Sequence, residues 1–157
     1  MQQAYTAIGR AVFFAQLFET ALIPIFEGFK MQTEPGYLLK TGGYISAGAF
    51  KVPITNIIKV LSAAGNIAAD LEERLTRYAE SRHTLVHRWV RDNGWPAEDD
   101  VAGFVPIIQL ANQVEAEAKE LTRSFTGYML KFSSPDRAVE YKAAMTQLFH
   151  RAHVERE

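Results

Sequence analysis

The chain has no cysteine, and this absence removes several classes of function at once. A disulfide framework, a thiolate nucleophile and a cysteine-ligated zinc site all need the missing side chain. The absence suits a reducing compartment, and we expect a cytoplasmic protein. Charge of one sign is lacking too, because 17 basic and 18 acidic residues give a formal net charge of −1. A generally basic coat for nucleic acid is therefore excluded, although a local basic site is not.

The sequence also lacks an uninterrupted apolar run of the kind that crosses a membrane. Its most apolar stretch, residues 11–29, contains Glu19 and Glu27. Each carboxylate would cost on the order of 3 kcal/mol at a bilayer centre. We interpret this stretch as a buried helix and expect no membrane partner. With 157 residues, the chain is long enough for one domain, 1–157, with its own hydrophobic core.

Helical periodicity covers most of the chain, and strand signals are weak. Five segments repeat apolar residues at the spacing of an α-helix, roughly 3–29, 53–64, 66–91, 105–132 and 137–153. Pro24 is expected to kink the first segment because it removes a backbone donor. Asp136 is a suitable N-cap for the last. The sequence predicts an all-α protein, an antiparallel bundle of four to five helices.

Four glycines fall in one segment, residues 36–53, which we call the glycine-rich segment. So long a connection is uncommon inside a compact domain and is often functional. Lys40 precedes the Gly42–Gly43 pair instead of following it, which excludes a Walker-type phosphate loop. The segment is interpreted either as an ordinary structured connection, with a helical turn or a small hairpin, or as a lid over a site.

The stretch ESRHTLVHRWVRD, residues 80–92, places an arginine where an apolar side chain is expected. At 100° per residue, five apolar or aromatic residues lie within about 40° of Arg82 on the helix, namely Leu71, Leu75, Tyr78, Val86 and Trp89. Burying an unpaired guanidinium is costly, so Arg82 needs a carboxylate, a phosphate or an open cleft. Glu19, at the border of the buried face of the first helix, is one candidate partner.

Residues 74–91 form a local basic cluster, with five arginines and one acid. The cluster is therefore a candidate anion site. Glu80, His83 and His87 share a helix face and could also form part of a metal site. Their order does not match the His-Glu-x-x-His pattern, and no partner ligands are evident. We expect neither a metal nor a cofactor.

The run Arg82-His83-Thr84-Leu85-Val86-His87 resembles the R-x4-6-H motif of the HEPN superfamily. It is similar to the common form with arginine, a polar residue, aliphatic residues and histidine. The position of the motif on a late-middle helix and the chain length also resemble that family. Glu19 matches an acidic residue that an earlier helix often carries. The resemblance in residues covers one helix.

The resemblance implies a metal-independent endoribonuclease that acts as a homodimer with two motifs facing one cleft. RNA supplies its own 2′-hydroxyl nucleophile, so His87 would exchange a proton and Arg82 would hold the scissile phosphate. His83 would orient or polarise the phosphate. Arg88 and Arg91 would contact the RNA backbone, and Glu19 and Tyr78 would support the site. DNA would not be cleaved, because it lacks the 2′-hydroxyl.

Such ribonucleases belong to toxin–antitoxin or phage-defence systems, and a toxin of this kind would have an antitoxin partner, often nucleotidyltransferase-like. Two other interpretations remain open. Many members of the family are non-catalytic binding or scaffolding modules, and an unrelated helical interaction domain is also compatible with the sequence. In either case Arg82 would form a structural ion pair with Glu19 or another acid, and His87 would be a surface or core-edge histidine near a helix end.

Overall fold

The computed structural model describes residues 1–63 and 67–132, with side chains up to residue 126, and these ranges contain helices and no β-strand. The predicted all-α class is therefore confirmed. The predicted helix at 137–153 lies outside the described residues. Backbone contacts divide the chain into two compact units, Met1–Thr122 and Arg123–Glu157. Glu19, Tyr78 and residues 80–92 belong to the first unit.

Helix α1, Gln2–Thr33, is the longest element and supplies much of the core. It continues through Pro24, and buried Leu22, Ile25 and Phe26 flank the proline. By length and composition alone α1 could cross a membrane, yet half of its most apolar window is buried inside the protein. In this structure α1 therefore serves as a core helix.

The glycine-rich segment contains a short helix, α2, Tyr37–Thr41, and a 3₁₀ turn, Ala49–Lys51. Of the two predicted conformations, the helical turn is present and the hairpin is absent. Gly42 and Gly43 have φ angles of 60° and 79°. These values favour glycine, because a side chain is strained in the left-handed region. The backbone therefore forms a turn immediately after α2.

Helix α3 spans Ile54–Ala63 and packs against α4, Ala69–His83. A π-helical turn, Thr84–Arg88, follows α4 directly, and α5, Trp89–Asn93, follows the π-turn directly. The amide of Trp89 donates to the carbonyl of Thr84, which is the i→i+5 bond of a π-turn.

The uniform α-helix predicted for residues 66–91 is therefore interrupted inside the motif. Leu85 is buried, whereas Val86 is 40% exposed, so the prediction that Val86 lies on the buried stripe is wrong. A rotation of 100° per residue does not describe a segment with i→i+5 bonds. The change from α-helix to π-helix begins at Thr84, two residues after Arg82, and the π-turn includes His87 and Arg88.

Helix α6 spans Val105–Phe132. Within the first unit, large side chains from four helices and from the residue preceding α6 are almost completely buried, including Phe14, Phe18, Leu22, Ile57, Leu75, Phe104, Ile107, Val114 and Leu121. Their burial is the main driving force for packing α1 against the other helices. It also brings the exposed edge of α1 close to α4, which sets the position of the candidate site.

Candidate functional site

A groove of about 890 Å³ lies beside α4 and contains several of the predicted site residues. We call it the arginine groove. Its walls consist of Glu19 of α1, residues 50–55, Ile58 and Lys59 of α3, and one face of α4 with the π-turn. Arg82, His83 and Arg88 all line it. Residues far apart in sequence therefore form one open, partly charged surface.

Arg82 contacts Glu19 across two helices, as one of the open interpretations anticipated. Its Nε lies 3.1 Å from Oε1 of Glu19. The N–H does not point at that oxygen, and the buried Nε atom has no hydrogen-bond partner among the described residues. Both side chains remain 29% exposed. The ion pair therefore does not seal the guanidinium, which still reaches the groove.

Burial raises the pKa of Glu19 above its usual value, and the charge of Arg82 offsets this only in part. A well-directed hydrogen bond from arginine would stabilise the carboxylate and lower its pKa. The raised pKa therefore agrees with the poor geometry of the Nε donor. Glu19 therefore forms an ion pair with Arg82 but does not accept a hydrogen bond from its Nε.

The two motif histidines are neighbours but have different surroundings. Their ring centroids lie 5.1 Å apart with an interplanar angle of 48°. His83 is half-buried and lines the arginine groove, whereas His87 is exposed and does not belong to its lining. Of the two histidines predicted to be catalytic, the groove is lined by His83, which was predicted to orient the phosphate, and not by His87, which was predicted to transfer the proton.

The two arginines predicted to contact RNA differ in the same way. Arg88 lines the groove, and its Nη1 donates to Oε1 of Glu80 at 2.8 Å. Arg91 is exposed outside the groove and pairs with the adjacent Asp92. The geometry thus brings Arg88 to the candidate site and does not bring Arg91.

Tyr78 lies in the core next to the Arg82–Glu19 pair. It is almost fully buried and packs edge-to-face on Phe18, with ring centroids 5.3 Å apart. Burial raises the pKa of its hydroxyl far above the usual range; the charges of Glu19 and Glu117 add to this, and Arg82 opposes it. The hydroxyl finds no hydrogen-bond partner within the described part of the chain. It therefore remains a protonated donor beside the Arg82–Glu19 pair.

Two lysines of the groove were not identified from the sequence. Lys51 and Lys59 both line it, and neither forms an ion pair with a described residue. Four cations and three carboxylates thus line the groove when histidine is counted as neutral. One signal could have revealed them, because residues 35–69 contain no acid. The end of the glycine-rich segment also supplies Phe50 to this wall.

Within the ranges that the structure describes, no group of three histidine, aspartate or glutamate residues is placed to hold a metal ion. This includes Glu80, His83 and His87, whose shared helix face had suggested a metal set. The groove therefore offers mainly cationic side chains, which can bind an anion.

Comparisons with family models, with curated proteins and with solved structures find no match for this chain. Its function is therefore inferred from the residues and their geometry.

Proposed function

We propose that the protein is a metal-independent endoribonuclease of HEPN type and that the arginine groove holds the scissile phosphate. One observation carries the proposal: Arg82, His83 and Arg88 line a single open groove. Arginine binds phosphate through a planar fork of donors, and the adjacent imidazole exchanges protons near neutral pH. Arg82 is available for this role because its side chain lines the groove and remains 29% exposed beside Glu19.

The reaction requires no atom that RNA and these side chains do not supply. The 2′-oxygen attacks the adjacent phosphorus while an imidazole takes its proton, and the bond from phosphorus to the 5′-oxygen breaks. The second imidazole of the His83–His87 pair, in its protonated form, gives a proton to the leaving 5′-oxygen. Arg82 stabilises the charge that develops on the phosphoryl oxygens. The products are a 2′,3′-cyclic phosphate and a 5′-hydroxyl.

His83 and His87 are close enough to share this proton chemistry. His83 lines the groove, and the ring of His87 lies next to the ring of His83, with centroids 5.1 Å apart. In the proposed homodimer, two motifs face one cleft, and the exposed His87 would reach the RNA held by the other protomer. The proposal keeps the cytoplasmic location and the toxin or phage-defence role, with a nucleotidyltransferase-like antitoxin as a partner.

The test is cleavage of a mixed cellular RNA pool in EDTA, with a matched single-stranded DNA as a second substrate. Wild-type protein is expected to cleave RNA and spare DNA. His83→Ala and His87→Ala are each expected to slow cleavage by about 10²-fold or more, because each removes a group that transfers a proton. End-group analysis is expected to find the cyclic phosphate.

His153→Ala is a matched control, because it removes a histidine distant in sequence from the motif. Cleavage that persists at the wild-type rate in both motif variants would come from another site or a contaminant. Absence of RNA cleavage by folded protein between about pH 6 and 8, the range in which imidazole changes charge, would contradict the ribonuclease proposal.

A second candidate is a non-cleaving helical module that binds nucleic acid or a partner. It is favoured by the Arg82–Glu19 ion pair and by the position of His87 outside the groove lining. In that case the wild-type protein binds labelled RNA without cleaving it. Anisotropy measurements beside the EDTA assay separate the two candidates, because only the ribonuclease yields products.

A further inference from the structure

The glycine-rich segment carries an unusual set of exposed apolar side chains. Leu38, Leu39, Tyr44, Ile45 and Phe50 are all at least partly exposed, and we call them the apolar patch. Leu39 is 88% exposed and Tyr44 is 81% exposed. Such a concentration of large apolar groups in water is unfavourable unless another surface covers them.

The segment is fixed to the body of the protein. The hydroxyl of Tyr37 donates to Oε2 of buried Glu27 at 2.7 Å, and Lys30 Nζ lies 2.5 Å from the other oxygen of that carboxylate. Lys30 also donates to the hydroxyl of Tyr37 at 2.8 Å. A charged network of this kind anchors α2 at its first residue. The patch is thereby presented on a defined structure.

The turn after α2 gathers the patch. A Cβ atom at Gly43 would lie 3.8 Å from Cδ1 of Leu38, and one at Gly42 would lie 3.5 Å from Cδ2 of Tyr44. The glycine pair therefore brings Leu38 and Tyr44 to the same bend. Leu39 follows Leu38 directly, so aliphatic and aromatic groups extend from one short loop.

The segment that carries the patch has only basic charged side chains, with Glu34 just before it in the sequence. Residues 35–69 contain three lysines and no acid, although the whole chain has more acidic than basic residues. Lys40, Lys51 and Lys59 form no ion pair within the described ranges. Lysine can place its ammonium at a polar boundary while its alkyl chain covers apolar surface. This combination complements a surface that is anionic outside and apolar beneath.

We propose that the apolar patch docks the protein on an anionic lipid surface, with Leu38, Leu39 and Tyr44 entering the interface and the lysines contacting the headgroups. Nucleic acid is less well matched, because consecutive aliphatic residues gain little from stacking on bases. A protein partner is less well matched too, since lysine is depleted in protein–protein interfaces. The docking is peripheral, so it requires no helix that spans the bilayer.

The test is co-sedimentation of the full chain with vesicles of phosphatidylcholine alone or mixed with phosphatidylglycerol. Binding is expected to the mixed vesicles and to weaken as salt is added. Leu39→Glu is expected to lower the vesicle affinity by about tenfold or more, because it replaces the most exposed group of the apolar patch by a charge that anionic lipid repels. The position is exposed, so folding should be retained, and circular dichroism checks this.

Val101→Glu is the matched control. Val101 is 77% exposed but follows Glu98, Asp99 and Asp100, so the same substitution there should leave vesicle binding unchanged. Failure of the wild type to bind anionic vesicles, or equal binding by Leu39→Glu, would overturn the proposal. Loss of RNA affinity or dissociation of a dimer in Leu39→Glu, without vesicle binding by the wild type, would assign the patch to nucleic acid or to a second copy instead.

Discussion

Two arginine–glutamate pairs connect α1 to other helices, and they are built differently. In the first, Arg10 Nη2 donates to Oε1 of Glu115 at 2.6 Å, and Lys119 donates to the same oxygen. In the second, Arg82 lies 3.1 Å from Glu19 but its Nε donor is unsatisfied. The first pair is a hydrogen-bonded structural contact, whereas the second is an ion pair with poor donor geometry whose arginine side chain remains 29% exposed.

The pKa shifts of the two carboxylates point in opposite directions. Burial opposes ionisation of Glu115, but hydrogen bonds from Arg10 and Lys119 outweigh it and lower the pKa. Burial of Glu19 is offset only in part by Arg82, so its pKa is raised. The same residue types can therefore form a well hydrogen-bonded pair or a poorly satisfied one, and donor geometry decides which.

The largest expected effect separates the two arginines by function. Arg82→Ala should slow RNA cleavage by about 10²- to 10³-fold, because it removes a donor that stabilises the developing phosphoryl charge. Its free energy of unfolding should change by only about 0.5 kcal/mol, as for other half-exposed ion pairs. Arg10→Ala should show the reverse, with normal cleavage and a loss of about 1 kcal/mol. Cleavage rates and urea unfolding of both variants provide the check; equal cleavage by the two would contradict the assignment.

A smaller effect separates the two glutamates by stability. Glu115→Gln should lower the free energy of unfolding by about 2 kcal/mol, because it removes the negative charge from a nearly buried acceptor that binds two cationic donors. Glu19→Gln should change it by about 0.5 kcal/mol at most, since its carboxylate is poorly satisfied in the native state. Urea unfolding at neutral pH measures both. A larger loss for Glu19→Gln than for Glu115→Gln would invert the comparison.

The smallest expected effect is on pH dependence. Because the folded pKa of Glu115 lies below the ordinary 4.5, its stabilising contribution is complete above that pH and is lost as the pH falls through the folded value. The folded pKa of Glu19 lies above 4.5, so its contribution is complete below that pH and is lost as the pH rises through the folded value.

Unfolding of wild type, Glu115→Gln and Glu19→Gln between about pH 3 and 7, which covers the carboxylate range, tests these signs. The advantage of wild type over Glu115→Gln should shrink towards low pH. Glu19→Gln should gain relative to wild type as the pH rises. Parallel curves for the three proteins would mean that neither carboxylate is shifted.

The helical class could be predicted from the sequence because apolar residues recur at the helical spacing through α1, α3, α4 and α6. The ion pair between Glu19 and Arg82 was also among the sequence-based alternatives, because both residues border apolar faces. The fold class is confirmed, whereas the ribonuclease role and the site residues remain predictions.

Other features depend on tertiary structure. The position of His83 in the groove and of His87 outside its lining could not be read from a regular helical wheel, since the wheel assumes one rotation per residue. Lys51 and Lys59 join the groove only because α3 packs against α4. Composition alone gave no reason to connect those lysines with Arg82, although the absence of acid around them was visible.

The π-turn at Thr84–Arg88 also affects how the motif tolerates changes in length. A π-turn accommodates one more residue than an α-helical turn between the same two flanking segments. An insertion or deletion of a single residue there can be absorbed locally, without rotating the packed helix on either side. The distance in sequence between the arginine and the histidine can thus vary while Leu75 and Tyr78 keep their places in the core.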